Sequence, residues 1–234
     1  MTVSDYEWLE SDERPGPWMG QASCFTFVRG MRVAEVVDRA GFPSAEEVDL
    51  SGVANAAERF GGEGIAVFDT ENGWTIIYQD NGFPDQYANS LLAMSTVEQG
   101  VVVFWNVNAL TEFSYWERGQ LITSFDFPDQ RHGSDPDRFL GDILDLDLVL
   151  DEAEGLVDLQ YAKMMALAER ITGVRLGPGF LQRRVVASRV ENSDDPRKRS
   201  AVYDPIRNIS IRWDPPPGYD TFGPGQDLDY GPES

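Results

Sequence analysis

Residues 100–127 read GVVVFWNVNALTEFSYWERGQLITSFDF. β-Branched and aromatic residues dominate three runs, near 101–107, 111–117 and 120–127, and Glu117-Arg118-Gly119 supplies a turn between the last two. Strands this close together can pair only as an antiparallel meander, so a sheet is the expected centre of the fold. Asn106 and Asn108 interrupt an otherwise apolar run. Two residues apart, they share one face of a regular strand with Phe104. Either their amides satisfy the backbone at a bulge or strand end, or they form a recognition pair with Glu112 and Arg118 nearby.

Upstream, Ile65–Phe68 and Trp74–Gln79 flank Asp69-Thr-Glu-Asn-Gly73, where Asn72-Gly73 offers the positive φ angles of a tight hairpin turn. Cys24–Val28 reads as a strand, and Val33, Val36, Val37 and Ala40 follow helical spacing up to Gly41. Ser44 and Glu47 have capping-box spacing, which predicts a second helical stretch reaching Phe60. A further helix is expected over Pro84–Ser95. Residues 5–20, rich in acids, prolines and glycines, read as an irregular lead-in.

Downstream of Pro128 the pattern turns helical. Ser134-Asp-Pro-Asp137 has the chemistry of a helix start, and Val157, Tyr161, Met164, Ala168 and Ile171 mark a long helix over Asp151–Gly173 with Gly173 as its stop. Residues 174–191 add a short helix or strand. From 192 onward proline, glycine and charge predominate, a composition that orders poorly by itself, with Ile206–Trp213 as a candidate docked strand. The expected fold is therefore α+β. One domain spans 1–191, with an antiparallel-rich sheet of five to seven strands in 21–127, a helical portion in 134–191, and a loose tail over 192–234.

The net charge is −21, from 40 acidic and 19 basic residues. Residues 1–130 carry −15 and 131–172 carry −6, while 173–213 carry +5 and 214–234 carry −5. Such a body repels phosphates, which argues against direct nucleic-acid binding and favours basic partners. No run approaches the length of a membrane span, and the acidic N-terminus lacks a signal-peptide pattern, so no membrane partner and a cytoplasmic location are expected. The single cysteine, Cys24, suits a reducing compartment.

The sequence lacks the common catalytic motifs. Cys24 sits in an apolar strand and His132 in a polar linker, so a thiolate dyad is disfavoured. The acids from Asp142 to Glu154 miss EF-hand spacing, and Gly61-Gly62-Glu63-Gly64 lacks the lysine of a phosphate loop. No catalytic residue, metal or cofactor is assigned.

The run VVVFWNVNALTEFSYWERGQLITSFD resembles the signature of an uncharacterised bacterial family of domains of unknown function, common in high-GC, actinobacterial-type organisms. FTFVRG, GWTIIYQDNGF and ALAERITGVRL extend the resemblance over about residues 5–185, with Phe104–Ala109 (FWNVNA) as its most specific part. It implies an α+β fold and carries no catalytic residue.

The expected function is a non-enzymatic acidic protein-binding module, an immunity or inhibitor protein masking a basic partner surface. Two alternatives stand beside it. One is a small-molecule binder or enzyme with a pocket near Trp74, Trp105 and Asn106. The other is a nucleic-acid mimic that places carboxylates in the site of a DNA-binding protein.

Overall fold

A computed structural model describes residues 2–10, 22–40, 42, 45–49, 64–80, 88–106, 110–149, 159–180, 183–189, 203–204 and 209–210. Its strands are β1 (Ser23–Arg29), β2 (Glu46–Asp49), β3 (Gly64–Asp69), β4 (Trp74–Asp80), β5 (Gln99–Trp105), β6 (Thr111–Glu117), β7 (Gln120–Phe125) and β8 (Arg184–Arg189). The helices are α1 (Val33–Ala40), α2 (Ala88–Leu92), α3 (Leu140–Asp145) and α4 (Gln160–Thr172), and two 3-10 turns, Val3–Asp5 and Glu7–Leu9, precede them. The eight strands form one sheet in the order β2-β8-β3-β4-β1-β5-β6-β7, with every neighbouring pair antiparallel. The fold is α+β. Among the described residues no helix is long and apolar enough to cross a membrane.

Alternation along the strands gives each face its own core. Phe25, Phe27, Trp74, Tyr78, Trp105 and Phe113 point to one face, under α4, the two 3-10 turns and Phe180. Cys24, Val28, Ile77, Val102, Phe104 and Trp116 point to the other, under α1 and the α2 region. On the first face Phe25 lies 4.9 Å from Tyr78, 5.6 Å from Phe180 and 5.7 Å from Trp105, centroid to centroid. Such pairs contribute roughly 0.5–1.5 kcal/mol each beyond the burial of their area.

Distant segments supply both ends of α4. Leu159, in the left-handed region at φ 50°, provides no side-chain cap, and Glu10 Oε1 instead accepts the Ala162 N–H at 3.1 Å. At the other end Gly173 adopts φ 69° as the expected stop, and Asn72 Nδ2 donates to its carbonyl at 2.6 Å. The 65–79 hairpin thus forms as expected, but of its two turn residues only Gly73 has a positive φ. The Asn72 side chain reaches the helix end instead.

Three expectations change. The helix expected from Ser44 is replaced over Glu46–Asp49 by β2, where Val48 lies opposite Val185 and packs on the first core; the remainder to Phe60 lies outside the described residues. Ser134 caps no helix, since α3 starts only at Leu140. Its hydroxyl and N–H both donate to Leu121 O, and the Asp135 N–H donates to Ile122 O, so this stretch shields the outer edge of β7. The sheet has eight strands rather than five to seven, because β2 and β8 join at one edge.

Within the expected lead-in, residues 5–10 are more ordered than their composition implied, with Tyr6 and Leu9 fully buried, while 11–20 lie outside the described residues. The chain divides into two compact units, 1–192 and 193–234. Within the second, β9 (Tyr203–Asp204) pairs antiparallel with β10 (Ile209–Ser210).

Candidate functional site

Antiparallel register gives the sheet two distinct ends. Arg29 lies opposite both Trp74 and Gln99, while Ser23 lies opposite both Asp80 and Trp105. Six residues of extended strand separate these rows, about 20 Å.

At the Trp74 end the β6–β7 connection is a two-residue loop. Arg118 (φ 48°) and Gly119 (φ 82°) both take the left-handed conformation of a type I′ turn, whose twist matches that of the strands. Trp74 is buried, with the Arg29 guanidinium carbon 5.8 Å from its ring centroid. From Arg29 a chain of hydrogen bonds crosses the sheet. Arg29 Nη1 donates to Gln99 Oε1 (3.2 Å), Gln99 Nε2 to the Tyr115 hydroxyl (2.9 Å), and that hydroxyl to Glu117 Oε1 (2.6 Å). Arg138 Nη2 donates to the same Glu117 oxygen at 3.3 Å. Burial, reinforced by the neighbouring Glu117 carboxylate, pushes the Tyr115 phenol up to about 12. The phenol therefore stays protonated at ordinary pH and keeps the chain directional.

The Trp105 end is built differently. Trp105 is fully buried and stacks on Tyr161 of α4 at 4.8 Å with 10° between the rings. The next residue, Asn106, closes the β5–β6 connection with two bonds. Its N–H donates to Leu110 O (3.0 Å), and its Oδ1 accepts the Leu110 N–H (3.2 Å). Thr111 Oγ1 then donates to Asp126 O (2.9 Å) and accepts from Gln160 Nε2 (3.0 Å), which ties β6, the end of β7 and α4 together. Around this ordered backbone, Leu110 is 56% exposed and Phe127 is 38% exposed.

The six residues expected to mark a site are therefore divided. Trp105, Asn106 and Glu112 lie at one end, whereas Trp74 and Arg118 lie at the other; Asn108 is outside the described residues. Glu112 lies opposite Phe104, so it stands on the face of the sheet away from Trp105. A pocket touching Trp74, Trp105 and Asn106 together would have to run the length of a strand. Sequence reading overlooked Leu110 and Phe127. Their signal was present, since each is a large apolar residue at the boundary of an expected strand, Leu110 just before 111–117 and Phe127 at the end of 120–127.

The other chemical candidates are also dispersed. Cys24 is buried in β1, while His132 bridges to Ser124 on the far side of β7, four strand spacings or about 19 Å away. Asp142 and Asp145 bind Arg170 at 3.1 and 2.6 Å, and the backbone carbonyl of Asp147 accepts from buried Lys163 at 2.7 Å. Among the described residues no group of three His, Cys, Asp or Glu side chains is placed to hold one metal ion.

No curated protein and no solved structure matches this chain. A family model matches residues 1–185, nearly the whole of the larger unit, and on that match the chain belongs to DUF6461, a family of unknown function.

Proposed function

We propose that the protein is a non-enzymatic acidic module that docks on a basic protein surface, in the manner of an immunity or inhibitor protein. The observation that carries this reading is how the arginines are used. Arg138 holds Glu117 and Asp135, Arg170 holds Asp142 and Asp145, and Arg175 holds Asp5 and Glu169. Each cluster contains two carboxylates for one guanidinium and stays net negative even when paired. The unit 1–192 contains 32 acidic and 14 basic residues, so it carries a surplus of 18 negative charges. A field of that sign accelerates encounter with cationic partners and repels nucleic acid.

On this reading the protein is bacterial and works in the cytoplasm, where its buried lone cysteine remains a thiol. The test is affinity capture from the source cells on the tagged full chain, at low and high salt. A basic protein retained at low salt and released at high salt is the expected result. Recovery of no basic protein, or retention indifferent to salt, would refute the reading.

A further inference from the structure

We infer that the Trp105 end of the sheet is the docking surface, with Leu110 and Phe127 as its apolar centre and Asp126 and Asp129 as its acidic rim, and that its occupant is a protein with an apolar spot ringed by lysine or arginine. The inference rests on the proposed function and gives it a place on the molecule.

Single exposed apolar residues are common and usually carry no meaning. Leu110 and Phe127 differ in how they are held. Both backbone hydrogen-bonding groups of Leu110 are tied to Asn106, and its neighbour Thr111 is bonded to Asp126, the neighbour of Phe127. Phe127 O in turn accepts the Gln130 N–H at 2.9 Å. Two large apolar side chains thus leave fixed backbone at the same end of adjacent strands. An ordered apolar residue loses little conformational entropy on binding, which is what an interface anchor requires.

Charge selects the occupant. Asp126 and Asp129 are exposed beside Phe127. The nearest arginine in sequence, Arg131, is turned inward: it donates to Pro128 O and binds Asp137 Oδ1 at 2.6 Å. A second copy of the chain would bring two bodies of charge −21 together, with acids facing acids. A cationic rim around an apolar spot meets both requirements. Leu144, 59% exposed on α3, provides a control site.

The experiment places a photo-crosslinking phenylalanine analogue at position 127, and separately at position 144, in the full chain expressed in its source cells. The protein captured at 127 is identified, purified, and titrated against the unmodified chain, the double variant Leu110→Ser with Phe127→Ser, and Leu144→Ser, each at two salt concentrations. Circular dichroism and thermal unfolding establish that the double variant is folded, as expected for changes at exposed positions. We expect a basic protein captured at 127 and not at 144. Its affinity should fall at least about tenfold in the double variant and stay unchanged in Leu144→Ser. Salt-sensitive binding of a basic protein that survives the double substitution would overturn this surface and leave the proposed function standing. Capture at 127 of only a second copy of the chain, or of nothing, would overturn the surface as well. Binding by the unmodified chain that ignores salt would remove the proposed function itself.

Discussion

The two ends of the sheet are made from similar residues and put them to opposite uses. At the Trp74 end the connection between β6 and β7 is as short as a hairpin allows, and polar side chains from Arg29 to Arg138 bond to one another across the strands. At the Trp105 end a stacked aromatic pair closes the core, while Asn106 and Thr111 bond backbone and leave Leu110 and Phe127 outside. One end satisfies its polar groups internally. The other uses polar groups to fix apolar side chains in solvent. The contrast shows that the type of residue at a strand end does not indicate its role; what matters is whether the hydrogen bonds there terminate within the sheet or orient something beyond it.

The largest effect is expected for Trp105→Ala. Trp105 belongs to the core although it adjoins the exposed surface, so its truncation should cost about 3–5 kcal/mol in chemical denaturation. A loss below about 1 kcal/mol, too small for a well-packed core aromatic, would show that the stacked pair with Tyr161 does not close this end. At the opposite end, Gly119→Ala adds a methyl at φ 82° that would lie 2.7 Å from Ala93 O. It should cost about 1–3 kcal/mol, read as a lower denaturation midpoint with no change in binding.

Tyr115→Phe tests the hydrogen-bond chain through pH. An unfolded tyrosine ionises near 10 and folded Tyr115 near 12. The unfolded chain therefore loses its proton first. The stabilisation is complete below about pH 10 and is lost as pH rises through about 12. Denaturation midpoints across this window should fall more steeply for the wild type than for Tyr115→Phe, and equal slopes would show that the phenol is not held in the chain. The smallest effect is expected at Arg118, which a type I′ loop places at positive φ. Arg118→Asn creates the Asn-Gly pair that such loops favour and should raise stability by about 0.5–1 kcal/mol. Lost binding in that variant would return Arg118 to the recognition surface.

Much of the fold was legible because its signals are local. The 111–117 strand matches β6 residue for residue, the hairpin at Gly73 forms, and Gly173 ends α4, since each depends on alternation or on glycine within a few positions. The candidate site was legible only in part. Asn106 stood out in the sequence because asparagine is uncommon inside a strand, and its role in closing the 106–110 connection follows from the same turn-forming chemistry. Trp74 and Trp105 looked alike, and only register places them about 20 Å apart.

By itself the sequence determined the meander, the helix periodicities and the negative charge, because alternation, turn chemistry and ionisation are properties of neighbouring residues or of simple counts. Tertiary structure alone decided that β8 enters between β2 and β3, that Glu46–Asp49 is a strand, and that Ser134 guards an edge instead of capping a helix. Each of these depends on a partner elsewhere in the chain: Val48 gains burial only beside Val185, and Glu10 caps a helix that begins at Gln160. The Val48 and Glu10 pairings bring together segments well over a hundred residues apart, and even Ser134 reaches 13 residues back to Leu121, so no local pattern carries the free energy that selects them.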